Sequence, residues 1–336
     1  MVRRFNLADI LLLKRLQDQV ACLDLELALL WSPAPLSLAL LECLSLSQCR
    51  TATFVQDEHS ANRRPQGFIQ SSDRPDRLSC DVEFAAPALD GSDRTAHLWR
   101  SLLEHLSVAK GESGLQRVFA TVPDSGQAPE VFRQAGFGAY ARRHVLRLDQ
   151  LPLDIDAEHS THCQSVQEGD APALQRLRSS LIPRPVQQAE GGIQAERDPT
   201  GILPWWKSRE DREYVWGEGG EIQALIRIVI GEEGHWLRIL LGPNTGGHAD
   251  AVLRDSLRLV ASYPARPIYC AVREYEGGLQ GALNSLGFEP VASELLMVKH
   301  TTVRARVPVK KLSRALEKGV ETAAPISTSN RCQNPP

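Results

Sequence analysis

At 336 residues, with 42% hydrophobic and 24% charged side chains, the chain exceeds one small domain and has the balance of a folded protein, which excludes the collagen-like and wholly disordered classes. Its 38 Lys and Arg nearly cancel its 41 Asp and Glu, and a net charge of -3 gives no general attraction to nucleic acid or to an anionic membrane surface. Seven cysteines, at 22, 43, 49, 80, 163, 270 and 332, form no C-x-x-C pair, so neither a disulfide framework nor a zinc site is indicated, and reduced thiols in a cytoplasmic protein fit best.

At the N-terminus Arg3 and Arg4 precede "ILLL", but Asp9 interrupts the apolar run, and Lys14 and Arg15 follow without a small-residue cleavage site, so a helix rather than an export signal is expected. In "FNLADILLLKRLQ" (5–17) Asp9 stands just before leucines at helical spacing and can cap that helix. The uncharged run from Leu27 to Leu41 spans 15 residues and contains Pro33 and Pro35, too short and too broken for a bilayer; it reads as a pair of core or interface helices. Three β-rich segments follow, "TATFVQ", "QGFIQSS" and "RLSCDVEFAAP", the pattern of consecutive antiparallel strands. Asp81 and Glu83 alternate onto one face of the third, where Glu83 is a candidate base, but the pair is expected to face solvent. A helix over Thr95–Lys110 carries Leu98, Leu102, Leu103 and Leu106 on one side. Then come a strand "VFATV", a helix "APEVFRQAGF" and a strand "YARRHVLRL". Gly136 ends the helix, because glycine accepts the left-handed conformation of a helix C-cap.

The same order returns. "VQEGDAPALQRLR" (166–178) with Asp170 matches the opening helix; "EYVWGE", "IQALIRIVI" and "HWLRILLGP" match the three strands. A helix over Ala249–Tyr263 carries Leu253, Leu257 and Val260, and "IYCAV", "LQGALNSLGF" and "SELLMVKH" close the copy. Val118 and Ile268 are 150 positions apart, and Gly136 and Gly287 are 151 apart, a period that means duplicated domains rather than a solenoid. The expected organisation is residues 1–150, residues 155–300, and a segment 301–336 with a basic amphipathic helix and a disordered tail. Each half reads strand, helix, three strands, helix, strand, helix, strand.

That order, with "VFRQAGF" and "ALNSLGF" before the last strand and an Asp-plus-leucine helix at the start, resembles the GCN5-related N-acetyltransferases over about residues 2–150 and 160–300. The resemblance implies an α/β fold of two tandem GNAT-like domains, each a mixed, mainly antiparallel sheet flanked by helices. It also implies an acyl-CoA-dependent N-acyltransferase that takes acetyl-CoA and an unidentified small-molecule or peptide amine. A noncatalytic CoA-binding or regulatory protein, and a scaffold whose two copies have both lost the ligand, are the alternatives.

In this family a Gly-rich turn before a helix cradles the cofactor pyrophosphate, since unpaired N–H groups and the helix dipole favour an anion there. The second half has "NTGGHA": Asn244, Thr245, Gly246, Gly247, His248 and Ala249, directly after Leu240 and Leu241 at the strand end. Gly247 and Ala249 fall on the pattern and Asn244 replaces its usual Gln or Arg; a plain flexible turn is the competing reading. His248 can pair with a phosphate or simply face solvent. In the first half's "GSDRTA", Arg94 stands in place of the middle glycine, Asp93 repels phosphate and Ala96 alone agrees, so that copy reads as degenerate.

Relatives often supply an acid from a tyrosine four residues before the glycine of "GF"; here those positions are Phe132 and Leu283, and no catalytic residue is assigned. Tyr275 is a substitute donor or an ordinary solvated loop residue. Trp205 and Trp206, near Lys207 and Arg209, either line an acceptor pocket or divide between core and surface.

Overall fold

The structure is a computed structural model that describes residues 2–32, 35–43, 50–56, 66–155, 162–190, 210–217, 221–243 and 245–301. The expected basic helix and tail beyond Thr301, Trp205, Trp206, Lys207, Arg209 and Asn244 lie outside the described residues.

The first half runs β1 (Val2–Arg4), α1 (Ile10–Leu16), β2 (Ala21–Cys22), α2 (Leu25–Leu30), α3 (Pro35–Cys43), β3 (Thr51–Gln56), β4 (Gly67–Asp73), β5 (Ser79–Ala86), α4 (Asp93–Glu112), β6 (Arg117–Pro123), α5 (Ala128–Gln134) and β7 (Gly138–Leu148). The second runs β8 (Cys163–Ser165), α6 (Ala171–Leu181), α7 (Arg184–Glu190), β9 (Glu210–Trp216), β10 (Ala224–Ile230), β11 (His235–Leu241), α8 (Ala249–Ala261), β12 (Ile268–Arg273), α9 (Gly278–Ser285) and β13 (Glu289–His300). Asp9 and Asp170, expected as helix caps, do a related job one turn earlier. Each accepts from a backbone N–H three residues before it, Asn6 at 2.9 Å and Gln167 at 2.8 Å, closing a capping box ahead of its helix.

All thirteen strands share one mostly antiparallel sheet. The order is β1-β3-β4-β5-β6-β13-β7-β12-β11-β10-β9-β8, with β2 on a free stretch of β5. The two final strands are therefore exchanged. β13 of the second half pairs with β6 of the first, and β7 of the first pairs with β12 of the second.

The central β7–β13 register obeys a pseudo-twofold. Glu289 pairs with Arg147 and Val298 with Gly138, Pro290 with Leu146 and Met297 with Ala139, so every pair maps onto another under a shift of 151. The extra residues at the two bulges, Tyr140 and Val291, map onto each other as well. Only one pair maps onto itself: Arg143 with Glu294, which form a largely buried ion pair at 2.7 Å on the axis. The helix-ending glycines confirm the offset. Gly136 and Gly287 have φ of +89° and +88°, and each is covered from an exchanged strand, by Lys299 and Leu148 respectively. Lys299 Nζ donates to the Ala135 carbonyl at 2.7 Å, a cation on a helix C-terminus.

One face of the sheet carries α4 and α5 over the first half and α8 and α9 over the second, each pair sealing an apolar core. Leu295 and Met297 of β13 complete the first core, and Leu146 and Leu148 of β7 complete the second. Burial of such a side chain is worth roughly 1.5–3 kcal/mol, so each half draws a sizeable share of its stability from the other's last strand. On the opposite face Leu27, Leu30, Trp31, Leu38 and Ala39 pack with Val145, Val229, Trp236 and Tyr269, so the leucine-rich run forms interface helices. The Leu30 carbonyl accepts from the Glu233 amide at 3.0 Å, fixing α2 to the second half. Among the described residues no helix is long and apolar enough to cross a membrane.

His235 opens β11, buried, with Nε2 donating to the Pro264 carbonyl at 2.8 Å and, among the described residues, no partner at Nδ1. Burial lowers its pKa, and nearby Arg266 acts the same way against the Pro264 bond. A protonated unfolded state opposite a neutral folded one means stability is full above the ordinary pKa of about 6.5 and is lost as pH falls below it. Melting temperature should thus drop between pH 7.5 and 5.5, and less so in His235→Gln; equal drops would place the effect elsewhere. The exchanged strands predict that residues 1–155 and 162–336 expressed together co-elute in size exclusion, while residues 1–155 alone, with Leu146 and Leu148 uncovered, aggregate. A monomeric, folded 1–155 fragment would contradict the shared cores.

Candidate functional site

Each half contains one parallel strand pair that opens. β5 and β6 pair only over Ser79–Asp81 and Arg117–Phe119; β11 and β12 pair only over His235–Leu237 and Ile268–Cys270. Beyond those points the strands separate. In the first half a bulge sits at Glu83, where the β4 register jumps between Gln70–Phe84 and Ser71–Val82, and a bulge bends its strand. In the second, β11 keeps full register with β10 while all six residues of β12 follow β7.

The two openings are not equivalent. In the first, β2 pairs Ala21 with Ala85 and Cys22 with Phe84, and the Leu23 amide donates to the Glu83 carbonyl at 2.7 Å. The chain itself thus occupies the free edge of β5. At the corresponding point of the second half, Ile182 and Pro183 lead straight from α6 into α7, and no described strand occupies the edge of β11 past Leu237. Pro183 lacks the N–H that a strand there would need.

The helix N-termini differ in the same sense. At α4, Ser92 Oγ accepts from the Thr95 amide at 3.3 Å, and Asp90 accepts from the Ser92 amide at 2.9 Å and the Thr95 hydroxyl at 2.6 Å. These bonds, that from Thr95 foremost, hold the Asp90 carboxyl below the usual carboxylate range, so a fixed negative charge stands where an anion would enter. At α8 the N-cap is His248, with no side-chain cap bond.

The turn residues singled out from sequence divide in role. Thr245 is buried, its amide donating to Gly242 O at 3.1 Å and its hydroxyl to Gln223 O at 2.9 Å, so it builds the turn and has no free donor. Gly246, Gly247 and His248 form a single 3-10 turn ahead of α8. Gly247 is exposed, and a Cβ there would meet nothing within 4 Å. His248 is exposed with its ring 5.9 Å from that of Trp216. Ala249 is buried in the core, Leu241 packs against that core, and Leu240 points to the other face. A turn with an open approach at Gly247, a helix without a side-chain cap and a strand edge that no described strand pairs fit a pyrophosphate with an extended arm.

On the α6–α7 face, at the pseudo-twofold, lies a cavity of about 100 Å³ lined from both halves. Trp236, Arg238 and Leu240 face it from β11, and Ala271 and Arg273 from β12, so it adjoins the second opening. Arg273 Nη2 lies 2.8 Å from Glu190, and its Nη1 donates to the Tyr275 hydroxyl at 2.8 Å. Tyr140 donates to Glu190 Oε1 at 3.3 Å. Burial, and then the Glu190 charge, push the Tyr140 phenol above its ordinary pKa and keep it protonated.

Several expectations change here. Asp81 and Glu83 are buried rather than solvent-facing, and Asp81 accepts two hydrogen bonds from Arg74, at 2.7 and 2.8 Å, beside the cavity. Tyr275 is half-buried against Arg273 rather than a solvated loop residue. Phe132 and Leu283 are fully buried core residues. Arg227, Arg238, Arg273, Glu190 and Tyr140 drew no attention in the sequence. The usable signal was a lone arginine inside each apolar strand, "LIRIVI" and "WLRILL", which alternation places opposite the helix-covered core.

No family model matches the chain, and no curated protein matches it. Solved structures do. A GCN5-related N-acetyltransferase from Sphaerobacter thermophilus superposes with a TM-score of 0.51 at 16% identity, covering 90% of this chain and 95% of that one. A tandem GNAT protein from the clavulanic acid biosynthesis pathway gives 0.46 at 14% identity over 75% and 83% of the two chains. A GNAT-family acetyltransferase from Colwellia psychrerythraea gives 0.42 at 12% identity over 90% and 100%. The latter two are too distant to add weight, and the first, with the strand order, establishes that the chain has the GCN5-related N-acetyltransferase fold.

Proposed function

We propose that the protein is an acyl-CoA-dependent N-acyltransferase, using acetyl-CoA and a small-molecule or peptide amine, in a cytoplasm where its cysteines stay reduced. Residues 155–300 form the cofactor-binding copy and residues 1–150 a degenerate copy that shapes the acceptor side. One observation carries the reading: of two openings related by a pseudo-twofold, the first is filled by β2 and by a capped α4 with Asp90 just before it, while the second has, among the described residues, no strand on the edge of β11, no side-chain cap on α8 and an open approach at Gly247.

Acetyl-CoA supplies an acyl thioester, whose C–S bond breaks as the acceptor nitrogen forms the new C–N bond. Gly246, Gly247 and the first turn of α8 present backbone donors to the diphosphate. Glu190, whose Oε1 is held by Arg273 and Tyr140, takes the proton shed by the attacking amine on its other carboxylate oxygen, and Tyr140, held neutral by burial, returns one to the leaving sulfur. Holding the two reactants in the opening and the adjoining cavity supplies the remaining acceleration. The loss of the usual tyrosine at Phe132 and Leu283 favours one other reading, a noncatalytic CoA-binding protein.

Calorimetric titration with acetyl-CoA should show binding by the intact protein, none by Gly247→Trp, and unchanged binding by Arg94→Trp at the first-half turn. No binding by the intact protein would remove the cofactor assignment; binding that survives Gly247→Trp would move the site. Release of free CoA with a panel of amines separates the enzyme from a CoA-binding protein. In the enzyme, Glu190→Gln should slow turnover by about 100-fold or more with acetyl-CoA affinity unchanged, whereas an unchanged rate would exclude Glu190 as the base.

A further inference from the structure

Arg143 and Arg273 are direct partners across β7 and β12, and both line the cavity. Like charges placed opposite each other on neighbouring strands repel and persist only where other groups compensate. The compensation here is split between two directions: Glu294 holds Arg143 through Nε and Nη2 at 3.0 and 2.7 Å, and Glu190 holds Arg273 from α7. Among the described residues Arg143 Nη1 makes no hydrogen bond, and the guanidinium lies 5.6 Å from the centre of the Trp236 ring. Arg238 adds a third guanidinium on the same wall. A carboxylate entering between Arg143 and Arg273 would relieve their repulsion with charge-assisted bonds.

The wall is not simply cationic, however. Glu190 and Asp81 also face the cavity, and Glu26 and Glu213 stand at its margin beside Arg227 and Arg178. Alternating guanidiniums and carboxylates disfavour a ligand of one sign, whether a polyamine or a polyphosphate, because either would meet as many like charges as opposite ones. A ligand with both signs at short separation meets complementary groups at both ends.

On the basis of the transferase reading, we propose that the acceptor is a small amino acid, its carboxylate bound by Arg143 and Arg273 and its amine placed at Glu190. Arg143 is then the residue that sets specificity for a carboxylate-bearing amine. The small cavity admits a free amino acid in preference to a folded protein's lysine. The amine end lies beside Glu190, Ala271 and Leu240, on the side where β11 and β12 open.

The test uses the full chain without cofactor and reads Trp fluorescence, with Trp236 on the cavity wall, against three matched sets: free amino acids, their decarboxylated amines and their N-acetyl derivatives. Free amino acids should quench saturably, and both other sets should bind at least about 10-fold more weakly, the loss expected for one charge-assisted hydrogen bond. Saturable binding of the decarboxylated amines alone, or of no member of any set, overturns the proposal. Acetyl-CoA titration of the same sample is read separately, so loss of the cofactor reading is distinguishable from loss of this one.

The double variant Arg143→Met/Glu294→Met removes the ion pair without leaving a lone buried charge. It should keep acetyl-CoA affinity and lose the preference for amino acids over decarboxylated amines. Should this variant unfold, Arg143→Lys keeps the charge but not the two-pronged geometry, and it should weaken amino acid binding about 10-fold. Unchanged preference in a folded variant of either kind overturns the assignment of Arg143.

Discussion

The ion pair between Arg143 and Glu294 lies on the axis where the two copies meet, in the β7–β13 ladder on which the rest of the architecture turns. The register makes the two residues equivalent positions of one repeat. In a symmetric dimer of identical chains, equivalent residues facing each other on the axis carry the same charge and repel. Opposite charges there require a single chain whose halves have diverged. The pair is largely buried and bonded through two guanidinium nitrogens, the geometry in which removing one partner strands the other at several kcal/mol. It sits at the centre of the β7–β13 ladder, whose register carries the exchange that lets each half complete the other's core.

The same divergence runs outward from the axis. Where the first half inserts β2 against β5, the second has Pro183, which cannot donate to a ladder. Where the first closes its helix with Ser92, Thr95 and Asp90, the second leaves His248 as an N-cap without a side-chain bond. Two local differences of chain path and capping fill one cleft of a symmetric pair and leave the other, among the described residues, without an edge strand or a side-chain cap. Symmetry in the backbone and asymmetry in the filling are compatible because the sheet register depends on the strands alone.

Much of this was legible in the sequence, and what was missed has a physical cause. The helix-ending glycines and their 151-residue offset follow from local rules, since a positive φ at a C-cap selects glycine whatever lies around it. The paired helices in the leucine-rich run followed from length and proline content. Strand exchange left no mark, because the alternation of β7 is the same whether its neighbour is β6 or β12. A two-residue strand such as β2 has no periodicity to read. Asp81 and Glu83 were misplaced because alternation cannot tell a solvent face from a face covered by another half of the chain. For the site, the glycines of the turn were visible as a motif, whereas Thr245 proved to serve the turn itself. Glu190, Tyr140 and the cavity arginines converge from six helices and strands and the β4–β5 turn and carry no motif at all.

Exchange also decides what the first copy is for. β12 borders the open cleft and carries Arg273, and along its whole length its other edge is paired with β7. β7 belongs to the first half and brings Tyr140 and Arg143 to the cavity, while β5 brings Asp81 with its partner Arg74. A cleft in the second half is therefore walled on one side by side chains of the first. Under the proposed function, loss of a cofactor turn in the first copy carries no penalty there, so long as its strands keep their places. Under that reading the constraint on residues 1–150 is one of sheet register and cavity charge rather than phosphate binding, consistent with a helix N-terminus sealed with Asp90 beside a β-sheet whose pseudo-symmetry remains intact.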